Sequence, residues 1–213
     1  SRELGQPDWM HTNSVDYNPH LDQIILSVHG FDEVWIIDHS TSGSENPGLL
    51  WRWGNPQTHG RGSDAERELF KQHDAHWIVA GLPGEGHIMI FNNGQGRRGN
   101  YSTVLELATP ISDGGQYLRE NKNRFSAPEP IWKYEDPGNF FSSNISGAER
   151  LPGGNTLICS GANGRIFEVT SDGSIVWEHI NEGGFGEQGA GVRGGGARGG
   201  AVFRVPWISP DHL

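Results

Sequence analysis

Three stretches of the chain close on one pattern: GLLWRWG at 48–54, EPIWKYE at 129–135 and SIVWEHI at 174–180. Each sets two residues, often apolar, before a tryptophan, a polar residue and an aromatic or imidazole ring. Each is also the last of four short segments. The first set is TNSVDY, QIILSV, EVWIID and LLWRW; the second is HWIV, HIMIF, TVLEL and PIWKY; the third is SGAERL, TLICS, RIFEV and SIVWE. Between them stand NPHLD, GLPGEG, LPGGN and TSDGS, whose Gly, Pro, Asn and Asp supply the backbone geometry of chain reversals. A repeated unit of this size buries its apolar faces only by stacking on its neighbours. The pattern therefore predicts an all-β chain of four-stranded antiparallel blades, a β-propeller, with three blades over residues 1–182.

The second unit carries two insertions. In 55–72, SDAERELF spaces Ser63 and Glu66 as a capping box, which predicts a short helix. The other, 108–128, is polar and joins the unit's third and fourth strands. Long inserts in a terse repeat are expected on the ligand-facing rim. Three units fall short of the roughly four to eight that close a propeller. We therefore expect either a part of a longer chain, the reading we favour, or association of copies. The glycine-rich stretch 183–200 has too few apolar groups to fold alone. Beyond it, in 201–213, AVFRV is expected to return as a strand and complete a further blade.

Composition excludes several classes. A net charge of −10 argues against a nucleic-acid backbone as partner, which needs a dense cationic face. No apolar run reaches the roughly 18 residues of a membrane span. The one cysteine, Cys159, lies in TLICSG and reads as an inert buried thiol. Trp51, Trp132 and Trp177 read as packing between units.

Four ordered stretches, DWMHTNSVDYNPHLDQIILS, QHDAHW, IFNNGQGR and GNTLICSGANGRIFEVTSDGSIVWE, together resemble the bacterial arylsulfotransferases, over about residues 7–179. The resemblance implies a six-bladed propeller of which this chain is the C-terminal half, a site in the central channel, and an exported protein, periplasmic or secreted, whose signal peptide lies upstream. It also implies sulfuryl transfer from a phenolic sulfate ester to a phenol without a nucleotide donor; no cofactor or metal is expected. Such a transfer needs cations for the anionic group, an acid for the departing phenolate and, on a covalent route, a neutral imidazole as nucleophile.

His11 and His73 stand at the same place, before the first strands of successive units. The motif match makes these two the channel histidines and Arg97 the sulfate-binding arginine, with Asn93 orienting acceptor or sulfate. The family's sulfuryl-carrying histidine resembles a position near GANGR, where this chain has Asn163, Gly164 and Arg165. Arg165 is the substrate-binding candidate there. Three routes stay open: His11 or His73 as nucleophile, direct transfer, or binding without turnover by a non-catalytic propeller, a ligand-binding module or extracellular assembly component. His73 and His76 have zinc-ligand spacing, but no third ligand stands near them. His76 is expected to pack or cap. His20, His29, His39, His59, His87, His179 and His212 read as surface residues.

Overall fold

The computed structural model describes residues 7–41, 48–112, 115–121, 124–182 and 200–208. The glycine-rich stretch 183–199 and His212 lie outside them. The strands are β1 Thr12–Asn18, β2 Gln23–Val28, β3 Glu33–Asp38, β4 Leu49–Trp53, β5 His73–Trp77, β6 Ile88–Asn92, β7 Thr103–Leu107, β8 Arg119–Asn121, β9 Arg124–Phe125, β10 Pro130–Glu135, β11 Gly147–Arg150, β12 Thr156–Ser160, β13 Arg165–Val169 and β14 Ile175–Ile180. They form three four-stranded sheets, ordered β1-β2-β3-β4, β5-β6-β7-β10 and β11-β12-β13-β14, and a small hairpin, β8-β9. All pairings are antiparallel.

The sheets stack through their first strands, β1 against β5 and β11 against β5 and β6. The middle sheet is covered on both sides, so IMIFN in β6 and TVLEL in β7 are buried at every position. Their continuous apolar runs reflect this double covering. Ile88 and Ile90 pack with Ile25, Ile36 and Trp51 of the first sheet; Met89 and Phe91 face Ile158, Phe167 and Val169 of the third. Each such side chain contributes roughly 1.5–3 kcal/mol of burial. One charged group interrupts the second interface. Glu106 of β7 takes a hydrogen bond from Arg150 of β11 and lies 2.7 Å from Nδ1 of His87.

The repeat tryptophans part ways. Trp51 is fully buried, stacked on Tyr117, and its indole N–H donates to the Ser126 carbonyl. Trp132 donates to the carbonyl of Ser171, in the turn between β13 and β14, at 2.8 Å. Trp177 departs from expectation: it is 49% exposed, because no described residue beyond β14 covers its face. Cys159 is buried as expected, and burial pushes its thiol pKa up to about 11.

The insertions also differ from the reading above. The predicted helix in 55–72 is a single 3-10 turn, Asp64–Glu66, with the Glu66 carboxylate accepting from the Ser63 N–H at 3.0 Å. Insert 108–128 leaves β7 at Leu107, opposite Ile88, so it starts at the end of the sheet away from His73, which pairs with Phe91. It runs along the outer edge instead, where the Tyr117 hydroxyl bonds Gln23 at 2.6 Å and Arg124 bonds Glu66. Among the described residues, segment 200–208 contains no strand. It returns to the third sheet all the same: the Ser146 N–H donates to the Phe203 carbonyl and the Val202 N–H to the Gly161 carbonyl.

Candidate functional site

At one rim of the stack the three sheets repeat a contact between two positions, the start of the first strand and the residue just after the second. In the first sheet these are His11 and His29, with ring centroids 4.8 Å apart. In the second they are His73 and Asn93, joined Nδ1 to Oδ1 at 2.7 Å. In the third, the Gly161 N–H donates to Ser146 Oγ at 2.9 Å. The local backbone explains the alignment. Val28 (φ −94°, ψ 79°) and Ser160 (φ −81°, ψ 77°) lead into identical 3-10 turns, His29–Phe31 and Gly161–Asn163, each closed by a left-handed residue, Asp32 or Gly164.

Neighbouring sheets are linked along the same rim. His29 and His73 rings stand 5.2 Å apart, edge to face, and the Asn93 amide donates to the carbonyls of Ser142 and Ile145. Asp8 holds His11 through Nδ1. The result is a row of imidazoles running from the half-exposed Asp8–His11 pair to His73, which is only 5% exposed.

The chemistry of His73 follows from its partners. Its Nδ1 faces two acceptors, Asn93 Oδ1 and, at 3.2 Å, the Lys71 carbonyl. A carbonyl cannot donate, so Nδ1 carries the proton. In the neutral ring Nε2 then holds the lone pair. Burial pushes the His73 pKa below its ordinary 6.5, outweighing the Asn93 and Lys71 hydrogen bonds, which raise it. A buried, neutral imidazole of fixed tautomer can act as a nucleophile or a general base.

Of the expected site residues, His11, His73 and Asn93 come together. His29, read from sequence as a surface residue, is the missed member, in ring contact with both histidines. Superposing VHGFDEV on SGANGRI would have found it, because both follow the second strand of their unit. Arg97 lies elsewhere: its guanidinium stacks over Phe70 and Tyr101 and reaches toward the Glu68 carbonyl. It lines an outer groove of about 510 Å³ with Trp53, Arg67 and Lys133, and among the described residues no histidine borders that groove. Arg165 pairs with Glu178 of β14 at 2.9 Å and lies over Phe167. His76 turns its Nδ1 to the Asp74 carbonyl at 2.8 Å. Among the described residues, no three His, Cys, Asp or Glu side chains are grouped to hold a metal ion. Two other histidines read as surface residues are half-buried, His59 beside Glu33 and His87 on Glu106.

The sequence model of the family described as Arylsulfotransferase (ASST) matches residues 2–188. No curated protein matches the chain. Similar solved structures include a protein of unknown function from Bacteroides caccae, at 16% identity and TM-score 0.47, covering 81% of this chain and 46% of that one. A streptogramin B lyase is similar at 18% identity and TM-score 0.38, covering 83% of this chain and 56% of that one. The chain thus spans about half the length of these structures.

Proposed function

Because the chain belongs to the arylsulfotransferase family, we propose that it transfers a sulfuryl group from an aryl sulfate to a phenol, without a nucleotide donor, and that His73 carries the group. The observation behind this reading is the state of His73: neutral, proton fixed on Nδ1, lone pair on Nε2. In the first step Nε2 forms a bond to sulfur as the bond from sulfur to the aryl oxygen breaks. The electron pair leaves with that oxygen, which takes a proton from the His11–His29 side of the row. In the second step the acceptor phenol oxygen bonds to sulfur, the N–S bond breaks, and the phenol proton returns to the imidazole that gave one up. Nothing is oxidised or reduced.

On this proposal the three sheets are three blades of a propeller, six in the whole protein, and the histidine rim borders its channel. Export to the periplasm or the medium belongs to the same proposal, and cell fractionation checks it. Among the described residues no helix is long and apolar enough to cross a membrane.

The test is release of phenolate from an aryl sulfate, which is expected to stop at about one equivalent per protein unless a phenol acceptor is added. Mass spectrometry of enzyme quenched with donor alone is expected to find a sulfurylated His73. Release that ignores the acceptor, with no modified histidine, ends this reading. The acid limb of the rate profile gives a second check. Protonation of Nε2 removes the nucleophile, and the His73 pKa is depressed, so the rate is expected to hold through pH 6.5 and to fall only below it. Linkage has the same sign: the unfolded chain takes up the His73 proton first, so the ring's contribution to stability is lost as pH drops below about 6.5.

A second reading, a propeller that binds sulfated or phenolic ligands without turnover, is favoured by one observation. Both arginines expected at the site, Arg97 and Arg165, are engaged elsewhere. It predicts ligand binding with no histidine modification.

A further inference from the structure

The returning segment 200–208 is seated on the histidine rim. Gly161 has no side chain where the Val202 carbonyl passes, and a Cβ there would stand 2.1 Å from that oxygen. The Gly200 carbonyl accepts from the Asn181 amide at 3.1 Å, and the backbone bonds of Val202 and Phe203 complete the seat. This fixes two consecutive side chains. The Phe203 ring stands edge to face with His73, centroids 6.3 Å apart, which extends the imidazole row to a fourth ring. Arg204 Nη1 lies 3.0 Å from Asp74 Oδ1, while Asp74 Oδ2 accepts from the Ala148 N–H. Arg204 also lines a cleft of about 330 Å³ bordered by Ser14, Asp74, His76 and Glu149 of the three first strands.

We propose that Phe203 is the wall against which the aryl ring lies and that Arg204 is the cation that binds the sulfate; the inference rests on His73 being the group that meets the donor. Phe203 is half exposed beside the nucleophile, so its ring has a free face to offer an aryl group. Asp74 engages one of the five N–H donors of Arg204, whose side chain is 59% exposed. The remaining donors fit the oxygens of a sulfate as they fit a carboxylate or phosphate. Arg204 is held on Asp74, the residue after His73 in β5, with donors that Asp74 does not take up.

The experiment uses the whole protein with 4-nitrophenyl sulfate as donor and phenol as acceptor, and calorimetric titration with phenyl sulfate as a readout free of turnover. Arg204→Ala is expected to weaken phenyl sulfate binding and to raise the donor KM by roughly 10- to 100-fold, the loss of a charged hydrogen-bond set. Arg204→Lys is expected to recover part of it. Phe203→Ala is expected to raise the phenol KM by about threefold to tenfold, with Phe203→Tyr restoring it. Gly161→Ala, which touches no substrate, is expected to produce both defects by unseating the segment. Unchanged binding and KM in Arg204→Ala and Phe203→Ala overturns the inference even if His73→Ala is inactive. Turnover that survives His73→Ala instead removes the reading on which the inference rests. Absence of phenyl sulfate binding to the unaltered chain overturns the inference outright.

Discussion

His73→Ala is expected to lower phenol-dependent release of phenolate by at least ~10³-fold, because removing a nucleophile takes away the intermediate itself. Folding should survive, since the Lys71 carbonyl lies in a partly buried segment and water can enter the space the ring leaves. Asn93→Ala separates the two jobs of the pair. Its loss removes a hydrogen bond that raises the His73 pKa, so the acid limb should move to still lower pH. The rate should fall less than in His73→Ala, because the Lys71 carbonyl still favours the proton on Nδ1. A plate assay with both variants, at several pH values, reads all three effects. Equal rates for His73→Ala and the unaltered chain would falsify the assignment.

The second large effect concerns stability. Glu106 and Arg150 are 7% and 6% exposed at their side chains and lie between the middle and third sheets, amid Met89, Phe91 and Ile158. Arg150 also donates to the Gly154 carbonyl at 2.9 Å, but among the described residues only Glu106 neutralises its charge there. Glu106→Ala strands a buried guanidinium and is expected to cost about 3–5 kcal/mol. In a chain of this size that lowers Tm by roughly 10 °C. The paired change Glu106→Leu with Arg150→Met should recover most of the loss, since removing both charges also removes the desolvation penalty. Thermal and urea denaturation of the three proteins measure it. A single variant that unfolds at the unaltered temperature would show the pair to be solvated.

How far the sequence could be read depends on what each feature needs. The twelve sheet strands of the three units were legible because the short segments, the turn residues between them and the closing tryptophan are local signals, repeated three times. The matching positions of His11 and His73 were legible for the same reason, as the two stand at the start of the first strands of successive units. Arg97 was not. Its loop passes through left-handed glycines at 94, 96 and 99, and each such turn redirects the chain in a way no periodicity encodes. Trp177 was misread because packing needs a partner, and a side chain's own pattern does not say whether one is present.

By itself, then, the sequence determined the kind and order of the twelve sheet strands and the family, since these rest on short-range pattern and motif. Only the tertiary structure decided that His29 stands between His11 and His73, that two arginines turn away, and that Phe203 and Arg204 come back to the rim. The physical reason is that contacts between stacked sheets are set by how the layers sit against one another, and residues far apart in the chain meet there without any local mark of it.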